Sequence, residues 1–175
     1  MAKTEAASVN RREEIIAAAI DVFSEIGFYR ATTAQVAERA KISQPYIFRF
    51  FSTKEALLLA ALEVSWERVI SSFEQVVGSA SPSRLEADLI EAYESILARH
   101  SSEMLLQMQA QTIQADDIRE AMRTGFGAVR QMVLDAFRNA GIPNAEERTM
   151  LFLARGMLCN ISMALKMPEL MEGKP

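Results

Sequence analysis

The stretch Thr32-Thr33-Ala34-Gln35-Val36-Ala37-Glu38-Arg39-Ala40-Lys41-Ile42-Ser43-Gln44-Pro45-Tyr46-Ile47-Phe48-Arg49-Phe50-Phe51-Ser52-Thr53-Lys54 reads as two short helices meeting at a tight turn. Thr32 with Gln35 makes a capping box: a hydroxyl takes an orphan backbone N–H, and an amide three residues on returns the bond. Val36, Ala37 and Ala40 then give a narrow apolar face at helical spacing. Lys41, Ile42 and Ser43 form the turn, with Ile42 inward and Ser43 placed to cap the next helix. That helix begins near Gln44 and Pro45, where a proline costs no helical N–H. Ile47, Phe48 and Phe51 are expected to face the core, and Gln44, Tyr46, Arg49 and the Pro45 ring to face outward. This pattern is a helix-turn-helix, whose second helix enters the DNA major groove with its N-terminal residues against base edges.

Further residues extend the pattern on both sides. Gly27, Ala31-Thr32-Thr33, Val36-Ala37, Ala40, Ile42-Ser43, Ile47-Phe48, Phe51 and Lys54-Glu55-Ala56-Leu57 resemble the DNA-binding signature of TetR-type transcriptional regulators, over roughly Arg12 to Leu62. Two positions depart from it. Lys41 stands where the family has a turn glycine, and Phe48 where it has a tyrosine whose hydroxyl reaches a phosphate. The resemblance implies a DNA-binding set of Thr32, Thr33, Ser43, Gln44, Pro45, Tyr46, Arg49 and Lys54. Within it Gln44 and Arg49 have the donors and acceptors to pair with adenine and guanine, while Thr33, Ser43 and Lys54 hold the backbone.

A chain of 175 residues, 50% hydrophobic and 24% charged, is long enough to bury a real core and is not disordered in composition. The formal net charge of -4 argues against nucleic acid until its distribution is read. Met1 to Lys54 carries eight basic and six acidic residues, net +2, which leaves -6 on the remainder. A mildly basic head on an acidic body suits a DNA reader with a second domain. No apolar run is long enough to span a bilayer, and the opening Met1-Ala2-Lys3-Thr4-Glu5 lacks a signal-peptide core, so a cytoplasmic location is expected. The single cysteine, Cys159, reads as a small buried hydrophobe rather than a redox sensor.

Residues 1 to about 9 read as a disordered arm, in which Arg11 and Arg12 either touch phosphate or sit in solvent. A first helix is expected from about Asn10 to Ile26, stopped by Gly27. Ser52 with Glu55 suggests a second capping box and a long helix from about Thr53 to Gly78. Gly78-Ser79-Ala80-Ser81-Pro82 punctuates the chain. Helices follow at about Pro82–Arg99 and Glu103–Ala115, then from Asp116 or Asp117 to about Asn139 with Gly141 as its stop, and last from Pro143-Asn144 to before Pro168. No strand pattern appears. The expectation is an all-α protein of about eight helices: an N-terminal three-helix helix-turn-helix head, residues 1–52, plus a C-terminal helical bundle for ligand binding and dimerisation, residues 53–175.

The last two helices are apolar on more than one side, so they must be buried nearly all round. In proteins similar to TetR the final helix pair forms a four-helix bundle with its copy, which implies a homodimer interface at Val129, Val133, Phe137, Phe152, Leu158 and Ile161. Gly125, Gly127 and Gly156 each cost up to about 1 kcal/mol in a helix, and close helix approach would explain them. The same resemblance implies a pocket for a small apolar or amphipathic effector, with Trp66, Phe73, Tyr93, Met104, Gln107, Met108, Gln111 and Phe126 as its lining. His100, the only histidine, reads as a helix cap rather than a ligand or base. With one His and one Cys far apart and no spaced metal-ligand cluster, no catalysis, metal or cofactor is expected. The reading is a DNA-binding regulator, a homodimeric repressor of a palindromic double-stranded operator released by its effector. The alternative is a helical protein–protein interaction module.

Overall fold

The computed structural model describes residues 2–171, with side chains described from residue 9. Eight α-helices follow one another: α1 (Ala2–Ile26), α2 (Thr33–Arg39), α3 (Gln44–Ile47), α4 (Lys54–Ser79), α5 (Leu85–Arg99), α6 (Ser101–Ala110), α7 (Asp116–Asn139) and α8 (Ala145–Leu165), closed by a 3-10 turn (Pro168–Leu170). No strand occurs among the described residues. Helix α1 reaches back to Ala2, which corrects the disordered arm. Ala2, Glu5, Ala6 and Ala7 are good helix formers, and small residues alone do not stop a helix.

Helix ends follow local chemistry. Gly27 at φ 82° ends α1 and Gly141 at φ 68° follows α7, both in the left-handed region where a side chain is strained. Thr32 caps α2 in a full capping box with Gln35. Two other caps differ from expectation. Ser43 precedes α3 but its hydroxyl caps nothing. The cap of α4 is Thr53, one residue beyond Ser52, its hydroxyl accepting from Ala56 N–H at 3.0 Å. α6 ends at Ala110, shorter than predicted, because the chain turns through Thr112 and Ile113.

One contiguous core runs through the described chain. In the head, Ile16, Phe23, Val36, Ile47, Phe51 and Leu57 interlock between α1 and the helix-turn-helix. In the body, Phe73, Leu89, Met104, Val133 and Phe137 are sealed between α4 and the remaining helices. Helix α4, about 39 Å long at 1.5 Å for each of its 26 residues, belongs to both. Among the described residues no helix is long and apolar enough to cross a membrane.

Candidate nucleic-acid interface and internal cavity

The turn between α2 and α3 is built by Lys41, which adopts φ 55°. A lysine there carries the strain that a glycine avoids. Ile42 N–H donates to Ala37 O at 2.9 Å and closes the turn, which fixes how α3 leaves α2. Ile47 then points inward, fully buried, and Gln44, Pro45 and Arg49 point out. The Gln44 side-chain amide donates to Thr33 Oγ1 at 2.8 Å, so its orientation is held from α2. The Arg49 guanidinium lies 5.1 Å from the centre of the Tyr46 ring, which in turn packs edge-on to Phe50. Phe48 is a correction: it is 49% exposed and does not face the core. α3 ends at Ile47, and the chain then turns on Phe50 and Phe51 N–H bonds to Ile47 O, so Phe51 rather than Phe48 follows Ile47 inward.

The head's cations divide into two groups. Arg39 is held by Glu25 at 2.9 and 2.7 Å, and the bond from Arg39 keeps the Glu25 carboxyl below its ordinary range. Arg11 pairs with Glu14, and Arg12 lies over the Phe51 ring at 5.2 Å. Arg30, Lys41 and Arg49 make no ion pair among the described residues. Lys54 is turned inward. Its Nζ donates to Phe28 O at 2.8 Å and Ala31 O at 3.0 Å and sits 4.4 Å from the Phe28 ring centre. The first residue of α4 is thereby bolted to the loop before α2. Sequence gives no sign of that role, because the carbonyls involved lie more than twenty residues away.

Twelve residues further along α4, Trp66 stands on the wall of a partly closed cavity of about 50 Å³. Of the residues expected to line a pocket, Trp66, Phe73, Tyr93, Gln107 and Phe126 border it. Met104, Met108 and Gln111 do not. α6 turns only Gln107 to the cavity: Met104 is sealed in the core beneath the Tyr93 hydroxyl, 3.8 Å from its sulfur, and Gln111 is exposed beyond the helix end. The sequence reading missed Ile90, Leu153, Cys159 and Asn160. Asn160 was findable, as a polar residue eight places after Phe152 on the same helical face. The Tyr93 hydroxyl donates to Asn160 Oδ1 at 2.9 Å. Burial pushes the Tyr93 phenol from 10.0 up to about 12 and raises the Cys159 thiol, so both stay protonated near neutral pH.

Trp66 Nε1 is buried with no hydrogen-bond partner. The indole packs so closely on α7 that a Cβ on Gly125 would lie 2.2 Å from it. Gly156 has ordinary room beside Tyr93, and a Cβ on Gly127 would touch nothing. On the outer side of Trp66, between α4 and α7, an open cleft of about 630 Å³ is bordered by Glu63, Glu67, Asp117 and Glu120. Behind the cavity, buried Glu103 holds Arg68 at 2.8 Å and faces His100 Nδ1 at 3.4 Å, so the lone histidine joins α5 and α6 as their shared cap. Among the described residues no three metal-ligating side chains gather.

The residues expected at a dimer interface separate. Val133 and Phe137 are fully enclosed by their own chain, and Val129 and Phe152 wall the cavity. The correction has a simple cause: the first apolar stripe of each helix is consumed by α4 and α5. Leu158 and Ile161 point out, each 39% exposed. With Leu151, Ala154 and Leu165 they make an exposed stripe spaced three, four, three and four residues apart. That period keeps one seam on one side of a helix.

Comparison with known proteins agrees with this architecture. The family model "Bacterial regulatory proteins, tetR family" matches residues 15–61. The HTH-type transcriptional regulator HbdR of Aromatoleum sp. (strain CIB) is 30% identical over 112 residues, which cover 61% of this chain and 47% of HbdR. The matched stretch spans about half or less of the curated relatives' own length. The FadR regulator from Bacillus subtilis, solved with stearoyl-CoA, superposes with a TM-score of 0.75 at 17% identity, covering 88% of each chain. FadR from Bacillus halodurans gives 0.77 at 16%, covering 89% of this chain and 86% of its own. These two likenesses speak to the fold. Residues 15–61 thus carry the DNA-binding domain described by the bacterial TetR family of regulatory proteins, and the chain as a whole shares the fold of TetR-family regulators.

Proposed function

We propose that the chain is a DNA-binding transcriptional regulator that acts as a homodimeric repressor of a palindromic operator and is released by a small apolar or amphipathic effector. The observation that carries this is the set of outward polar side chains on α3 and in the turns around it. Gln44 is held by Thr33, Arg49 is stacked on Tyr46, and Arg30, Lys41 and Arg49 have no ion-pair partner among the described residues. Gln44, Pro45, Tyr46 and Arg49 would meet base edges; Thr32, Thr33, Ser43 and the Lys41 turn would lie along the phosphates. Lys54 is assigned to locking α4 onto the head, a change from its expected phosphate contact.

One head offers few base contacts, so two are needed, about 34–36 Å apart on successive major grooves. The exposed seam Leu151, Ala154, Leu158, Ile161 and Leu165 supports pairing through α8. Gly127, open on its own chain, supports a close approach of α7. The effector would enter the cavity at Trp66 and bias α4, whose first residue is fixed to the head. An effector preferring the spread form by about 1–3 kcal/mol suffices to release DNA. The FadR complex with stearoyl-CoA supports an amphipathic ligand class in this fold. A cytoplasmic location follows from the same reading.

Selection of bound DNA from a random-sequence pool tests it. An enriched palindrome whose affinity falls steeply with salt is expected. Recovery of no sequence would favour a protein partner for the head. Leu158→Glu should give folded monomers in sedimentation that no longer hold the palindrome, and a dimer intact in that variant would remove α8 as the interface.

A further inference from the structure

Two residues that line the cavity behind Trp66, Trp66 itself and Asn160, carry side-chain N–H donors with no partner among the described residues. Trp66 is 7% exposed, and its Nε1–H meets no partner. Asn160 is 4% exposed and lines the same cavity; its carboxamide oxygen is taken by the Tyr93 hydroxyl, and its amide N–H groups make no bond among the described residues. Around these donors the wall is apolar: Val69, Phe73, Val129 and Phe152. A buried donor left unmade costs about 1–3 kcal/mol, so an occupant that supplies an acceptor is favoured. At roughly 10–15 Å³ for each water, about 50 Å³ holds about three to five waters or a compact ring. A ring with one oxygen offers those donors what a water oxygen offers and also covers the apolar wall.

Charge is excluded from the interior. Glu94 and Arg155 stand at the rim and pair with each other at 3.3 Å. Inside, Tyr93 and Cys159 are held protonated. An ion taken in would find no counter-charge and would lose its hydration. A cation finds no carboxylate inside, only the neutral amides of Gln107 and Asn160. An anion approaching from the outer side of Trp66 meets Glu63, Glu67, Asp117 and Glu120, of which only Glu120 has a basic partner, Arg123 at 3.7 Å, among the described residues.

We propose that this cavity takes an uncharged molecule with a compact apolar body and a carbonyl-type oxygen, the oxygen accepting from Trp66 Nε1–H and the Asn160 side-chain amide. The proposal rests on the effector reading above and narrows it to a chemical class.

The test uses the full chain and four matched probes: cyclohexanone, methylenecyclohexane, cyclohexanecarboxylate and cyclohexylammonium. Trp66 is the one tryptophan in the sequence, so a single indole N–H resonance in a ¹⁵N spectrum reports on it. Cyclohexanone should move that resonance downfield and bind about tenfold more tightly than methylenecyclohexane, which has the same shape and no acceptor. In Trp66→Phe that preference should shrink. Should the variant fail to fold, the indole resonance of the unaltered protein still decides. Equal affinity for the matched pair, an unmoved indole resonance, no binding by any probe, or tighter binding of either ion would overturn the proposal. Operator selection on the same preparation separates the two readings. DNA binding with no probe binding removes the ligand class and leaves the regulator; carbonyl binding with no enriched DNA does the reverse.

Discussion

The head and the body treat their polar side chains in opposite ways. In the head, buried polar atoms are tied within the chain, as Lys54 is to Phe28 O and Ala31 O, and unpaired cations point to solvent. In the body, donors without partners sit on Trp66 and Asn160, two residues that line a cavity. An outward array on a tightly packed support suits a large rigid partner, and an inward array on a looser one suits a small molecule. Helix α4 joins the two, with Lys54 at one end and Trp66 about 18 Å along it by helical rise.

Several substitutions break or sharpen that contrast. The largest effect is expected where the head is most tightly packed. Phe23 is fully buried, and Phe23→Ala should cost about 3–5 kcal/mol in denaturant unfolding. A cost below about 1 kcal/mol would mean that the head is no better packed than the cavity wall. Next comes alkali. The folded Tyr93 phenol titrates near 12 instead of 10.0, so its stabilising share is whole below pH 10 and is lost as pH rises toward 12, roughly 2–3 kcal/mol in all. Tyr93→Phe should remove that slope from a stability–pH curve.

Glycines on the two cavity helices divide sharply. Gly125→Ala drives a methyl into the Trp66 ring and should destabilise by about 1–3 kcal/mol, less the helix propensity it regains. Gly156→Ala has room and should be neutral or stabilise by up to about 1 kcal/mol. Thermal melts of the pair decide whether the indole is as tightly held as its surroundings require. The smallest effect belongs to the turn of the head. Lys41→Gly relieves a left-handed lysine and should gain a few tenths of a kcal/mol, to at most about 1.

Sequence and structure agree where the determinant is local. The Thr32–Gln35 box, the Gly27 and Gly141 stops and the strained Lys41 turn all rest on residues within four places of one another. Outward Gln44 follows from helical spacing, and Arg49 is outward although it lies two residues beyond the end of α3. The misplacements share a different cause. Phe48 turned outward because α3 is one turn long, which periodicity over a longer window conceals. Val133 and Phe137 were apolar for their own chain's sake, and the face left over, Leu151 to Leu165, is visible only after α4 and α5 have taken their share. Lys54 and Asn160 depend on partners far away in sequence, Phe28, Ala31 and Tyr93. Aromatic and methionine residues between Trp66 and Phe126 all read alike, so the lining that Trp66, Phe73 and Phe126 provide could not be told from the core that Met104 fills.

The most direct measurement is the affinity of Arg49→Ala for the selected palindrome, set beside the unaltered protein at one salt concentration. Arg49 is exposed and supports nothing but the Tyr46 ring, so the variant should fold and pair as before. Loss of about 1–3 kcal/mol in specific binding, with discrimination relaxed at one base pair of each half-site, is the predicted result. Undiminished affinity and unchanged sequence preference would contradict the assignment of α3 as the reading helix.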